Sequence, residues 1–85
     1  MAELEHLNVT VDDPHEMARL LGDLFNWKIR WEGASMDGQG YTVHVGSETT
    51  YLALYSGTDG KPATPEGTSY NRLAGLNHIG VVVGP

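Results

Sequence analysis

Leu7, Val9 and Val11 alternate with His6, Asn8 and Thr10 near the start of the chain. A period of two marks a strand whose successive side chains point to opposite faces of a sheet, and it predicts one over Leu4–Val11. The period then lengthens: Met17, Leu20, Leu21 and Leu24 recur at i, i+3, i+4 and i+7, one apolar stripe of a helix. Asp13 is a good N-cap for that helix, Pro14 suits its first position, Glu16 completes an Asp-x-x-Glu capping box and Asn26 is a left-handed stop. Alternation returns in Trp27–Trp31, where Trp27, Ile29 and Trp31 oppose Lys28 and Arg30. It returns again in Gly40–Val45, where Tyr41, Val43 and Val45 oppose Thr42 and His44, and in Thr50–Ser56, where Leu52 and Leu54 oppose Tyr51, Ala53 and Tyr55. The run from Gly33 to Gly40 reads as a polar turn and Gly46-Ser47-Glu48 as a short hairpin connection. Trp27 and Trp31 share a face by this reading and serve packing or an interface.

No period survives from Ser56 to Gly75, where Gly, Pro, Thr and Ser dominate. A structureless stretch of that length is a linker or a functional loop; Tyr70 and Arg72 are its residues to watch. Beyond it the opening strand is repeated. Leu4-Glu5-His6-Leu7-Asn8-Val9-Thr10-Val11 matches Leu76-Asn77-His78-Ile79-Gly80-Val81-Val82-Val83, with leucine, histidine, an aliphatic residue and two valines in register. A repeat of this kind reads as a duplicated supersecondary unit whose second member stops after its first strand. The expected organisation is a βαβββ module over residues 1–56, a Gly/Pro-rich linker over 57–75, and the first strand of an incomplete second module over 76–85. The fold class is α+β, with the helix on one face of the sheet and the other face left open.

Composition narrows the function classes. An 85-residue chain buries only roughly 60–65% of the surface it exposes when unfolded, so it leans on a metal, disulfides or self-association for stability. Cysteine is absent, which excludes disulfides and thiolate metal sites and fits the cytoplasm. With 11 acidic and 5 basic residues and a net charge of −6, the chain has no basic patch suited to nucleic acid or an anionic membrane. No apolar run approaches the roughly 20 residues of a membrane span, and the acidic start is unlike a signal peptide.

The order of elements, the repeated histidine in Leu-Glu-His-Leu-Asn-Val-Thr-Val and Leu-Asn-His-Ile-Gly-Val-Val-Val, the helix end Leu24-Phe25-Asn26-Trp27 and the strand Thr50-Tyr51-Leu52-Ala53-Leu54-Tyr55 together resemble the vicinal oxygen chelate superfamily. That superfamily includes glyoxalase I, fosfomycin-modifying enzymes, extradiol dioxygenases and bleomycin-resistance proteins. The resemblance implies paired βαβββ modules whose curved mixed sheets enclose a cavity. It also implies that His6 and His78, each opening a strand, hold one divalent ion (Fe, Mn, Ni or Zn) that chelates two oxygens of a small substrate. A glutamate from the last strand of a second module would complete such a set. Glyoxalase I proper carries a further glutamate on the fourth strand, where this chain has Ala53, so a four-ligand site of that kind is disfavoured. Dioxygenase-like and transferase-like members are closer.

His44 is the candidate general acid or base, on the face of Thr42. Asn8, Thr10, Tyr51 and Tyr55 are the candidate substrate contacts, and His15, in the first helical turn, is a surface residue. Two function classes stay open: a metal-dependent lyase or dioxygenase, and a metal-free binding protein that sequesters an aromatic or amphipathic molecule, as bleomycin-resistance proteins do. Either is expected to be a homodimer, because an unpaired terminal strand invites pairing with another chain.

Overall fold

The computed structural model describes residues 2–36, 40–57, 69–71 and 76–84. Its elements are β1 (His6–Thr10), α1 (Pro14–Phe25), β2 (Lys28–Ala34), β3 (Tyr41–Gly46), β4 (Tyr51–Ser56) and a 3₁₀ turn at Ser69–Asn71. The βαβββ order expected from the alternation is present, and the fold is α+β.

The four strands form one mixed sheet in the order β1-β4-β3-β2, unclosed at both edges. β3 and β4 form an antiparallel hairpin, closed where the Ser47 N–H donates to the Thr50 carbonyl at 2.9 Å. β1 pairs with β4 in parallel, so the chain crosses from β1 through α1 to the far edge and works back to β1. The crossover helix therefore covers one face of the sheet, as parallel pairing demands.

Its start is fixed by Asp13, whose carboxylate accepts the N–H groups of His15 and Glu16. Pro14, whose missing N–H costs nothing at a helix start, follows it. Its end is Asn26, at φ 59 and ψ 30, whose N–H donates to the Gly22 carbonyl. Asp13→Ala is expected to lower the unfolding free energy by about 1 kcal/mol, measured by urea denaturation, because two amide donors lose their acceptor.

The core lies between α1 and the sheet, where Val43, Val45 and Leu54 are fully enclosed against Ala18 and Leu21. Val9, Val11, Met17, Phe25, Trp27 and Leu52 close its margins. The helix turns a different stripe inward from the one expected. Pro14, Met17, Ala18, Leu21 and Phe25 face the sheet, whereas Leu20 and Leu24 are exposed. Both stripes have helical spacing and share Met17 and Leu21; the small Ala18 allows the backbone closer to Val43 and Val45 than a leucine would.

Most of the linker expected over 57–75, including Arg72, lies outside the described residues. Tyr70 is exposed. Residues 76–84 are described, but they join no strand of the sheet. The alternation of Leu76–Val83 suits a strand, yet a strand exists only where a neighbour completes its hydrogen bonds, and among the described residues none does. Val82 and Val83 are left exposed.

Candidate functional site

The strand registers place the open face of the sheet residue by residue. His6 lies beside Tyr51, Asn8 beside Ala53 and Thr10 beside Tyr55. Continuing across β4 and β3, Tyr51 lies beside Gly46, Ala53 beside His44 and Tyr55 beside Thr42. Partners in register point to the same face, so His6, Asn8, Thr10, His44, Tyr51 and Tyr55 all belong to the face opposite α1. The candidate residues are thus brought onto one surface, with the small Gly46, Ala53 and Thr42 along its middle.

β2 reaches that surface through an irregularity. Ile29 pairs with Val45 and Trp31 with His44, which leaves Arg30 as an extra residue at a β-bulge. Plain alternation puts Trp31 on the face of Ile29; the bulge turns it onto the face of His44, with the rings 5.0 Å apart. The shared face expected for Trp27 and Trp31 does not form. Trp27 packs on the core margin against Phe25, at 5.1 Å, while Trp31 lies on the open face. Gly33 makes room for Trp31, because a Cβ there would stand 2.8 Å from the indole Cζ2. The polar turn begins later than expected, since β2 runs on to Ala34.

Aromatic rings therefore cross the whole open face. His6 stacks on Tyr51 at 4.8 Å, Tyr51 on His44 at 4.6 Å, and His44 meets Trp31. Arg30 lays its guanidinium over Tyr51, 4.5 Å from the ring centroid. Gly46 stands next to Tyr51 in the same row and offers no side chain to block that reach. A Cβ at Gly46 would fall 2.3 Å from the Thr50 carbonyl oxygen and 2.5 Å from the Tyr51 Cα, so glycine is required for this hairpin geometry.

The pKa of His44 is held below its ordinary value, chiefly by burial and further by electrostatic repulsion from its neighbours His6 and Arg30. A neutral imidazole can accept a proton, which is what a general base needs. The unfolded chain binds this proton more readily than the folded one, so the His44 contribution is level above pH 6.5 and destabilises as pH falls below it. Between about pH 7 and pH 5 the wild-type unfolding midpoint is expected to drop more than that of His44→Gln. Equal drops would mean that His44 is not the responsible group.

His6 and His78 line one cavity of about 570 Å³ at the end of the sheet where β1 and β4 begin, together with Tyr51, Trp27 and Ile79. The Nδ1 of His6 is 3.1 Å from a Glu5 carboxylate oxygen, and the Nδ1 of His78 is 2.5 Å from the Asn77 side-chain oxygen. Both neighbours are acceptors at the contacting atom, so Nδ1 is the donor in each contact. A metal-ligating histidine has such a hydrogen bond on the ring nitrogen that does not bind the metal. Among the described residues no group of three or more His, Asp or Glu side chains stands ready for a metal ion.

A second cluster lies outside the expected site. Glu32 accepts from His15 Nε2 at 2.8 Å and from the Tyr41 hydroxyl at 2.6 Å, tying the start of α1 to β2 and β3. The Tyr41 hydroxyl, more than His15, holds the Glu32 carboxyl below its usual range, and Glu32 in turn raises Tyr41. This cluster is exposed, sits at the opposite end of β3 from Gly46 and fastens the helix to the sheet. His15, expected on the surface, is exposed there.

No protein-family model and no curated protein matches the chain. Its fold is similar to that in the crystal structure of SMU.1112c, with a TM-score of 0.60 at 16% sequence identity over 89% of this chain. The chain spans 60% of the length of that protein. Among the described residues no helix is long and apolar enough to cross a membrane.

Proposed function

We propose that this chain is a metal-dependent member of the vicinal oxygen chelate superfamily, of the lyase or dioxygenase type. His6 and His78 hold a divalent ion such as Fe, Mn, Ni or Zn, and the open face of the sheet receives a small oxygen-rich substrate. The observation that carries this reading is the pair of histidines lining one cavity, each with Nδ1 bonded to an oxygen. A bound ion supplies Lewis-acid polarisation of substrate oxygens. The chain's own residues do the rest: Tyr51 braces the His6 ring by stacking, and neutral His44 takes a proton from the substrate. Asn8, Thr10 and Tyr55 offer hydrogen bonds along the same face. Ala53, paired with Asn8 and with only a methyl to offer, argues against a four-ligand glyoxalase I site.

Two histidines do not complete a metal's coordination. The remaining ligands come from a second copy, and the proposed assembly is a homodimer. The open edge of β1 and the exposed apolar residues of 76–84 support it. Titration with Mn²⁺ tests the metal pair: its paramagnetism should broaden the imidazole NMR signals of His6 and His78 before those of His15 and His44. Uniform broadening of all four would reject the pair.

A metal-free binding protein is the second reading, favoured by the ring row His6–Tyr51–His44–Trp31. Such a row suits a flat aromatic ligand without any ion.

A further inference from the structure

The bulge in β2 does more than turn Trp31. It leaves Arg30 on the open face, where the guanidinium lies over the Tyr51 ring in the gap left by Gly46. Lys28, two residues earlier and opposite Gly46, lines the same depression of about 520 Å³ with Arg30 and Ser47. Two of the five lysines and arginines of a chain with net charge −6 are thus gathered at one spot. Among the described residues the ion pairs are His6–Glu5 and His15–Glu32, so neither Arg30 nor Lys28 is neutralised by a carboxylate. Glu48 is the acidic residue at this rim.

A guanidinium held over a ring by its central carbon keeps its N–H groups for another partner, and among the described residues no carboxylate takes them. Those are the donors that grip a carboxylate in bidentate fashion. Tyr51, on which Arg30 rests, also braces His6 and lines the histidine cavity, and Trp27 and Ser47 line both spaces. The two sites therefore adjoin.

We propose that Arg30, assisted by Lys28, is a carboxylate-binding subsite, and that the molecule received on the open face is a small carboxylate. This rests on the reading of the open face as the substrate site. It adds which end of the molecule is gripped: the carboxylate at Arg30, and the oxygens to be chelated towards His6.

The test uses the 85-residue chain stripped of metal with EDTA, so that the subsite is read apart from any ion. Lactate and its neutral amide, lactamide, are titrated while the Tyr51 ring and Arg30 side-chain NMR signals are followed. Lactate should shift both sets of signals, and lactamide should bind roughly tenfold or more weakly, since a charge-assisted pair is replaced by a neutral one. Arg30→Gln should weaken lactate by roughly tenfold or more, Arg30→Lys by less, and His15→Ala, on the helix side of the sheet, should leave it unchanged. The proposal is overturned if lactate does not bind, if lactamide binds equally, or if Arg30→Gln binds lactate as the wild type does. Failure of the metal reading appears elsewhere, as absence of any ion on His6 and His78, and leaves these titrations intact.

Discussion

His6→Ala and His78→Ala are each expected to lower affinity for a divalent ion by roughly 100-fold or more. Altering residues that merely support a metal ligand costs about 10–100-fold, and here a ligand itself is lost from a pair. The expectation follows from the shared cavity and from the Glu5 and Asn77 oxygens that hold the Nδ1 side of each ring. Glu5→Gln gives the finer reading: the histidine remains, its partner stays able to accept, but the carboxylate no longer raises its basicity, so the loss should be smaller than for His6→Ala. His15→Ala, 17 positions from its partner Glu32 and on the helix side of the sheet, should leave metal affinity unchanged. Isothermal titration with Zn²⁺ measures all four. Equal affinities for the wild type and His6→Ala would remove His6 from the site.

Leu54→Ala should cost about 2–5 kcal/mol of stability. Leu54 is 1% exposed and packs against Val43, Val45, Ala18 and Leu21, the enclosed centre of the core. Its strand is held on both sides, by β1 and by β3, so the backbone has little freedom to collapse into the cavity that alanine would leave. Domains are stable by only about 5–15 kcal/mol, and an 85-residue chain belongs near the lower end. A visible fraction of the variant should therefore be unfolded at about 37 °C, and its urea midpoint should fall with the slope unchanged. A cost below about 1 kcal/mol would mean that the helix does not seal this face of the sheet.

The open face could be read from the sequence because period-two alternation is a local property. His6, Asn8, Thr10, His44, Tyr51 and Tyr55 keep their assigned face wherever the strand runs regularly. β2 does not run regularly. One extra residue at Arg30 reverses the facing of everything after it, and no residue there advertises the bulge; Gly33, two positions after Trp31, was the nearest available signal. The helix stripe shows a different ambiguity. Met17-Leu20-Leu21-Leu24 and Pro14-Met17-Ala18-Leu21-Phe25 both fit a helix, and the choice depends on how closely the sheet approaches, which is a tertiary matter. The cluster of His15, Glu32 and Tyr41 joins three elements and was invisible for the same reason. Leu76–Val83 has the pattern of a strand but, among the described residues, no neighbour to pair with, and a pattern alone cannot supply the neighbour.

The histidine pair and the need for further ligands converge on one prediction: two copies of this chain close around the metal. Native mass spectrometry of the 85-residue chain, incubated with Mn²⁺ or Zn²⁺ and desalted, reads assembly and metal together. The account predicts a dimer of the 9.2 kDa chain carrying bound metal, with the metal lost in both His6→Ala and His78→Ala. A monomer, or a dimer that stays metal-free under these conditions, would contradict it.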